Sequence, residues 1–244
     1  MTPVPVPTLP LEMRCLSLTG TFETGVLVPH CWSALSGDFD GQGISFSCLQ
    51  WNFGQRTLQP LLLQMIKQHP DEFNAAFQEC GVELEDCLGF SQVRQMAFCR
   101  DEMQYPVGDG YAIEPCWAED IKRLGQTPEW QAIALASVGT QFADAKFLMA
   151  RFQLQSDRAA ALCFDCVVQN GGINQAARKH IDAEIMASGG KMFESDRLVL
   201  IAKNIAAACN PRWSSDVFAR KMAIATGKGR VHGLDIDLAN YGLA

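Results

Sequence analysis

Residues 19–55, TGTFETGVLVPHCWSALSGDFDGQGISFSCLQWNFGQ, decide how this chain is interpreted. Glu23 follows an apolar stripe with helical spacing, and Asp38 and Asp40 lie in a glycine-rich turn further along the chain. Amide and aromatic side chains follow directly, at residues 50–55. Hydrolysis of a glycosidic bond needs one carboxylic acid to protonate the leaving oxygen and a second carboxylate to activate water or stabilise the oxocarbenium-like centre. The stretch therefore predicts a two-carboxylate glycan site.

The amide and aromatic residues after the turn are the candidate wall for a sugar. In an extended chain Trp51 and Phe53 lie on one side, and Gln50 and Asn52 lie on the other. At least one polar face is therefore expected to be available to a glycan, although the aromatic residues also suit a core. The candidate substrate-binding residues of this stretch are Gln42, Gln50, Trp51, Asn52 and Gln55.

Two other interpretations apply to the carboxylates. Glu23 alone resembles an exposed glutamate near a helix end, but a negative charge there is disfavoured by the helix dipole. The turn also resembles a calcium loop, because Asp38 and Asp40 fit its first and third positions. Its twelfth position falls on Leu49, where calcium requires a bidentate glutamate. We therefore expect no metal and no cofactor.

The composition excludes several classes of function. The chain has 244 residues, a net charge of −7 and 48% hydrophobic residues, so it can bury a large core. It has no basic block or stripe, which argues against nucleic acid, and no apolar run long enough to span a bilayer. The N-terminus lacks a basic and an apolar signal region, so no secretory signal is expected. We predict a proline-rich terminus or linker over residues 1–10 and one catalytic domain over residues 11–244.

Ten cysteines are many for a reduced cytosolic protein of this size. An even number in a protein that works outside the cytosol suggests disulfides, so we expect several of them to be oxidised. Cys163 and Cys166 form a CxxC pair inside a helical pattern, without a second pair or a histidine at ligand spacing. These two are therefore interpreted as buried apolar cysteines rather than as a zinc or redox site.

The remaining pattern is mostly helical. The first helix carries the stripe Leu11, Cys15, Leu18 and Phe22 and ends at Gly25. Alternation over residues 44–49 predicts a short strand, and residues 101–117 read as irregular because prolines and glycines interrupt them. Further helices are predicted from about residue 57, over 71–80, from a Thr127 cap past Arg151, from a Ser156 cap to Asn170, and over 174–187, 195–209 and 214–225.

The order of these features resembles the family 46 chitosanases of the lysozyme superfamily. Glu23 at a helix end and Asp40 in DGQGIS match that family's catalytic acid and base, and Ser45 stands where a threonine usually helps to hold the attacking water. The stretch SDRAAALCFDCVVQNGG is similar to a second family segment, in which an aspartate is followed by a His-Gly pair that lines the cleft. On that resemblance Asp165 and Asn170 are further substrate-binding candidates, with histidine missing.

The chain also resembles the wall-degrading domains attached to type VI secretion effectors, through FETG, SGDFDGQGISFSCLQWNFGQ and TLQPLL. Those domains share the chitosanase-like fold and act as muramidases. The resemblance implies peptidoglycan strands as substrate, fusion to or carriage by a secretion-system protein, and an immunity protein that occludes the cleft. It also implies synthesis in the cytoplasm and delivery to the periplasm of a target bacterium.

The expected fold is mainly α, an α+β lysozyme-like arrangement of two helical lobes around a cleft, with a short β element near residues 38–53. The expected activity is cleavage of peptidoglycan glycan strands, with Glu23 as general acid, kept protonated by partial burial, and Asp40 as general base. Asp38 as the base, a chitosanase activity, a glycan-binding module without catalysis and a purely structural helical domain are the alternatives.

Overall fold

The structure is a computed structural model that describes residues 6–78, 80–108 and 110–244. Helices account for most of the described chain and the strands are short, which confirms the predicted mainly α class. Contacts divide the chain into two compact units. Unit 1 comprises Met1–Gly25 with Val138–Ala244, and unit 2 comprises Val26–Ser137. The single catalytic domain predicted over residues 11–244 stays a prediction.

The described chain is a series of α-helices with short strands between some of them. The α-helices are α1 (Leu11–Thr24), α2 (Gln59–Gln68), α3 (Pro70–Ala76), α4 (Gly81–Leu88), α5 (Gln92–Asp101), α6 (Pro115–Gly125), α7 (Pro128–Ser137), α8 (Gly139–Arg151), α9 (Asp157–Asn170), α10 (Gln175–Ala187), α11 (Glu194–Ala208) and α12 (Ser214–Thr226). The strands are β1 (Leu35–Ser36), β2 (Ser45–Phe46), β3 (Trp51–Asn52), β4 (Gln104–Val107), β5 (Gly110–Ile113), β6 (Lys228–Val231) and β7 (Leu234–Asp237).

Local capping chemistry fixes the helix ends of unit 1 where the sequence predicts them. Gly25 follows α1 in the left-handed conformation, which a residue without a Cβ adopts easily. The side chain of Ser156 accepts a hydrogen bond from the Ala159 backbone N–H at the start of α9. Asn174 caps α10 in the same way. These helix boundaries are confirmed.

Unit 1 is built on packed helices. α9 packs against α1, α8 and α12, and α11 packs against α10 and α12. The rings of Phe142 and Phe164 stack with centroids 4.0 Å apart and join α8 to α9. The antiparallel hairpin of β6 and β7 lies on α12. Gly229 makes that approach possible, because a Cβ there would lie 2.6 Å from the Cβ of Ala223.

Unit 2 contains the β element predicted near residues 38–53. The strands β1, β2 and β3 form an antiparallel sheet in which Ser45 pairs with Ser36 on one side and with Asn52 on the other. The fully buried Trp130 of α7 supports this sheet, since its Nε1–H donates to Ser47 Oγ at 3.0 Å. Its ring lies 4.9 Å from that of Phe46, centroid to centroid.

Several predicted boundaries are wrong. The helix predicted over residues 71–80 ends at Ala76, and the strand predicted over residues 44–49 is limited to Ser45–Phe46. Residues 101–117 are not irregular, because β4 and β5 form a regular antiparallel hairpin there and α6 begins at Pro115. Proline at a helix start is favourable, so the residue taken as a breaker opens the helix. The helix predicted from Thr127 past Arg151 is interrupted at Val138, and the division between the two units falls at the same residue.

The proline-rich terminus lies partly outside the described residues, since Pro3 and Pro5 fall among residues 1–5. Pro7 belongs to a 3₁₀ helix over Val6–Thr8 rather than to an extended polyproline segment. Within the described part of the chain, no helix has both the length and the apolar character needed to cross a bilayer.

The expected disulfides are absent from the described residues, which include all ten cysteines. Eight of the ten are buried, where cysteine packs as a small apolar side chain. Burial also raises the pKa of the Cys15 thiol to about 12, so the reactive thiolate is strongly disfavoured there. Cys163 and Cys166 are both buried in the middle of α9, as their apolar setting predicts.

Candidate functional site

A charged network in unit 1 surrounds the predicted acid. Glu23, in the last turn of α1, accepts a hydrogen bond at Oε1 from Arg220 at 2.7 Å. The same guanidinium donates to both carboxylate oxygens of Asp165, with distances from 2.6 to 3.0 Å. Arg220 also lies over the ring of Phe22, 5.0 Å from its centroid. A single buried arginine thus joins two predicted site residues that are far apart in sequence.

Lys221 completes the network from the other side of Asp165. Its ammonium group donates to Asp165 Oδ2 at 2.5 Å, to the Asp165 carbonyl at 3.0 Å and to Gln169 Oε1 at 2.7 Å. Thr19 donates its hydroxyl to Asp165 Oδ1 at 3.1 Å. The network therefore contains two carboxylates and two cations, and the charges of the buried groups are compensated within it.

The protonation states of the buried groups follow from this pairing. Burial by itself would raise the pKa of Asp165, but Arg220 and Lys221 outweigh it and lower that pKa to about 2. Burial alone would lower the pKa of Arg220, but the carboxylates of Asp165 and Glu23 raise it above its usual range. Asp165 is therefore a fixed negative charge that holds the guanidinium in place.

Helical spacing on three helices produces this arrangement. Thr19 and Glu23 are four residues apart on α1, Asp165 and Gln169 are four apart on α9, and α12 supplies the adjacent Arg220 and Lys221. Side chains four residues apart share one face of a helix, so each helix presents its polar pair to the same point. The sequence predictions missed both cations. The sequence does contain a signal for them, because Arg220 and Lys221 interrupt the apolar positions of α12.

Glu23 itself remains accessible. Its side chain is 30% exposed, whereas that of Arg220 is 2% exposed. The hydrogen bond from Arg220 is made to Oε1 of Glu23. Asp165, which the resemblance places among the substrate-binding residues, is 0% exposed and faces Arg220 and Lys221 rather than solvent. It contacts the arginine that holds Glu23.

The acid turn of unit 2, residues 37–43, is held by main-chain interactions. Gly41 and Gly43 have φ angles of 83° and 74°, which favour glycine. The Gln42 backbone N–H donates to Asp40 Oδ1 at 3.1 Å, and the Gln42 carbonyl accepts from the Gly54 N–H at 2.8 Å. The side chain of Asp40 is consequently oriented while the residue remains exposed to solvent.

Asp38 and Asp40 differ in their surroundings. The Asp38 backbone N–H donates to Gln104 Oε1 at 2.7 Å, and Gln104 Nε2 donates to the Cys99 carbonyl at 2.8 Å. Asp38 Oδ1 is shielded from solvent and has no partner among the described residues. The hairpin that the sequence did not predict therefore anchors the turn through Gln104, and Asp40 is the carboxylate presented to water.

Most of the other predicted residues of unit 2 are buried or form hydrogen bonds within their own loop. Ser45 is 6% exposed on β2, and Trp51 is 9% exposed on β3. Gln50 accepts from Ser36 and donates to the Ser47 carbonyl, and Asn52 Oδ1 accepts from the Gln55 backbone N–H at 2.8 Å. The exposed side chain of this group is that of Gln55, and Gln42 is half-buried.

Asn170 lies elsewhere, at the last position of α9 in unit 1. There it lines a pocket of about 490 Å³ together with Gln169 and Trp213. Gln169 links the pocket wall to the charged network through Lys221. Over residues 6–78, 80–108 and 110–244, no three His, Cys, Asp or Glu side chains come together in an arrangement suited to a metal ion.

Comparison with known proteins supports the fold. One solved structure, described as a chitosanase complex, matches with a TM-score of 0.54 and 15% sequence identity over 93% of this chain and 95% of that chain. The match covers both units and shows that the chain has a chitosanase-like fold. No protein-family model and no curated protein matches the sequence.

Proposed function

We propose that this protein is a glycoside hydrolase that cleaves the glycan strands of bacterial peptidoglycan. The observation that carries the proposal is the contact of Glu23 with a buried, charge-compensated arginine, in a chain with a chitosanase-like fold. Such a contact fixes the orientation of the Glu23 carboxyl group while part of that group stays accessible to a substrate.

The reaction that suits these residues is a direct displacement by water. Glu23 donates its proton to the glycosidic oxygen as the bond to the anomeric carbon breaks. Asp40 removes a proton from a water molecule, whose oxygen forms the new bond to that carbon, and Ser45 helps to hold the water. Such a reaction inverts the anomeric configuration. Arg220 and Asp165 act as positioning residues because they hold Glu23 rather than the substrate.

Of the amide and aromatic residues, two are proposed to contact the glycan and three to support the surface that it contacts. Gln55 and Gln42 keep exposed side-chain surface and are proposed to contact the glycan. Gln50, Trp51 and Asn52 are proposed to shape the same surface, because two of them use their amides to fix the loop. Asp38 remains the alternative base.

The test is digestion of purified peptidoglycan and of chitosan side by side, with mass analysis of the products. The proposal predicts soluble muropeptide fragments that carry a new reducing sugar, together with little release from chitosan. Release from chitosan alone would instead support a chitosanase, which the similarity to the chitosanase structure favours as the second candidate. Binding to either polymer without any product would indicate a glycan-binding module.

We also propose that the activity serves an antibacterial effector, made in the cytoplasm and delivered to the periplasm of a target bacterium. The resemblance to effector domains supports this role, together with carriage by a secretion-system protein and inhibition by an immunity protein. Expression in a Gram-negative host should lyse cells when a secretory signal directs the chain to the periplasm, and should not do so in the cytoplasm. Equal survival of both strains would contradict the proposal.

A further inference from the structure

The pocket that Asn170 lines is a second site of unit 1, distinct from the carboxylate of Glu23. It has a volume of about 490 Å³ and lies where α9 and α11 end and where α10 and α12 begin. Sites for small ligands typically have volumes of about 300–1,000 Å³. The pocket is thus large enough to hold a substituted sugar, and its lining determines which substituent fits.

Carboxamides dominate the polar part of the lining, which includes Asn170, Asn174 and Asn210. Asn174 Oδ1 accepts from the Ala177 backbone N–H, and Asn210 Oδ1 accepts from that of Arg212, so both side chains are fixed. Asn170 Oδ1 is shielded from solvent and has no partner among the described residues. A turn of its carboxamide would present this unused acceptor to a ligand N–H.

The apolar part of the lining contains an aromatic ring and small aliphatic groups. Trp213 is 53% exposed, and the guanidinium of Arg212 lies over its ring, 4.7 Å from the centroid. Ile205 and Ala208 line the same pocket. An exposed tryptophan is a suitable surface for a sugar ring, and the aliphatic groups suit a methyl group. The pocket therefore combines amide recognition with an apolar surface.

The acidic side chain of the pocket is engaged by its own neighbours, which leaves little for a free amine. Asp216 is the one acidic or basic side chain in the lining, all of which is described. Its Oδ1 lies 2.5 Å from His232 Nε2, and its Oδ2 accepts from Gln169 Nε2 at 3.1 Å. A sugar ammonium group buried here would need a carboxylate that is not already paired. A neutral amide needs only the hydrogen bonds that the carboxamides offer.

We propose that this pocket binds the acetamido group of an N-acetylated hexosamine and so selects acetylated glycans over glycans with free amines. This inference rests on the proposed glycan substrate and names the chemical group that is recognised. Gln169 contacts both Asp216 and Lys221, so the pocket lies next to the network that holds Glu23. Occupation of the pocket would place the acetylated strand against the unit that carries the proposed acid.

The test measures binding in the Glu23→Gln protein, so that hydrolysis does not interfere. Calorimetry compares a tetrasaccharide of N-acetylglucosamine with the matching tetrasaccharide of glucosamine. The acetylated ligand should bind at least about tenfold more tightly. Trp213→Ala should weaken its binding about tenfold, whereas Phe193→Ala, which removes another exposed aromatic side chain of unit 1, should leave it unchanged.

A second variant tests the charge argument without removing the ring. Asn170→Asp introduces an unpaired carboxylate into the pocket and should shift the preference toward the glucosamine ligand. Equal binding of both ligands to the Glu23→Gln protein would overturn the inference, and so would acetylated binding that survives Trp213→Ala. These outcomes are independent of the proposed activity, which fails instead if the unaltered protein releases no product from peptidoglycan.

Discussion

Glu23 and Asp40 are held in place by different kinds of interaction. In unit 1, Glu23 depends on a guanidinium that is itself fixed by a fully buried carboxylate. In unit 2, Asp40 is fixed by a backbone N–H within a turn whose glycines adopt positive φ angles. The first arrangement should therefore be sensitive to the removal of a charge. The second should be sensitive to the addition of a Cβ, because close backbone approach maintains it.

The comparison is tested most directly at Glu23. Glu23→Gln should reduce peptidoglycan hydrolysis by about 10²–10⁴-fold, because the amide keeps the shape but cannot deliver a proton. Turbidity loss of a peptidoglycan suspension gives the rate. Glu12→Gln is the matched control, since it lies on the same helix and pairs with Lys146 at an exposed position. A Glu23→Gln protein with near-normal activity and unchanged circular dichroism would remove Glu23 from the mechanism.

The second test separates the two aspartates of the acid turn. Asp40→Asn should be nearly as damaging as Glu23→Gln, up to about 10⁴-fold, because the amide cannot take the proton from water. Asp38→Asn should be milder, since its carboxylate is partly shielded and Asp40 is the one exposed to solvent. The same hydrolysis assay ranks the two variants. A reversed ranking would identify Asp38 as the base.

Removal of the Asp165 charge tests the arrangement around Glu23 in unit 1 alone. Asp165→Asn leaves Arg220 and Lys221 buried with one carboxylate fewer, and loss of one partner from a buried ion pair typically costs about 3–5 kcal/mol. Hydrogen exchange should therefore accelerate at the amides of α9 and α12 and stay unchanged in α2 and α7 of unit 2. Equal acceleration in both units would show that the network is not local to unit 1.

A substitution at a glycine that contacts the acid turn tests the arrangement around Asp40 in unit 2. A Cβ at Gly54 would lie 2.5 Å from Gln42 Oε1 and 2.7 Å from its Cα, so Gly54→Ala should displace the turn and destabilise unit 2 by about 1–3 kcal/mol. Denaturant unfolding monitored in unit 2 measures this change. Gly139→Ala is the control, because a Cβ there has no neighbour within 4 Å. An equal effect of both changes would argue against close approach as the cause.

The last test uses acid and requires no substitution. The pKa of Asp165 falls from its ordinary value of 3.8 to about 2, so ionised Asp165 stabilises the folded state above about pH 4. This contribution, about 2 kcal/mol, should be lost as the pH falls from about 4 through 2. A ¹³C titration of the Asp165 carboxyl group should give a midpoint near 2. A midpoint near 3.8 would mean that the cations do not stabilise this carboxylate.

Local sequence signals determined much of this protein. Gly25, Ser156 and Asn174 set helix ends because a left-handed residue or a capping side chain acts within a few residues of the chain. The carboxylates of the predicted site were found in the same way, since Glu23 follows a helical stripe and Asp40 lies in a glycine turn. Such features depend on neighbours in sequence.

Only the tertiary structure decided what surrounds those carboxylates. Arg220 lies 197 residues after Glu23, and Gln104 lies 66 residues after Asp38, so no local pattern indicates either contact. Whether a basic side chain is solvated or buried depends on the helices packed against it, and the pairing with Asp165 decided this for Arg220. The same holds for the cysteines, whose number suggested disulfides, whereas all ten are free thiols and eight of them pack as buried side chains. The sequence therefore determined which residues carry the proposed chemistry, and packing determined which residues hold them.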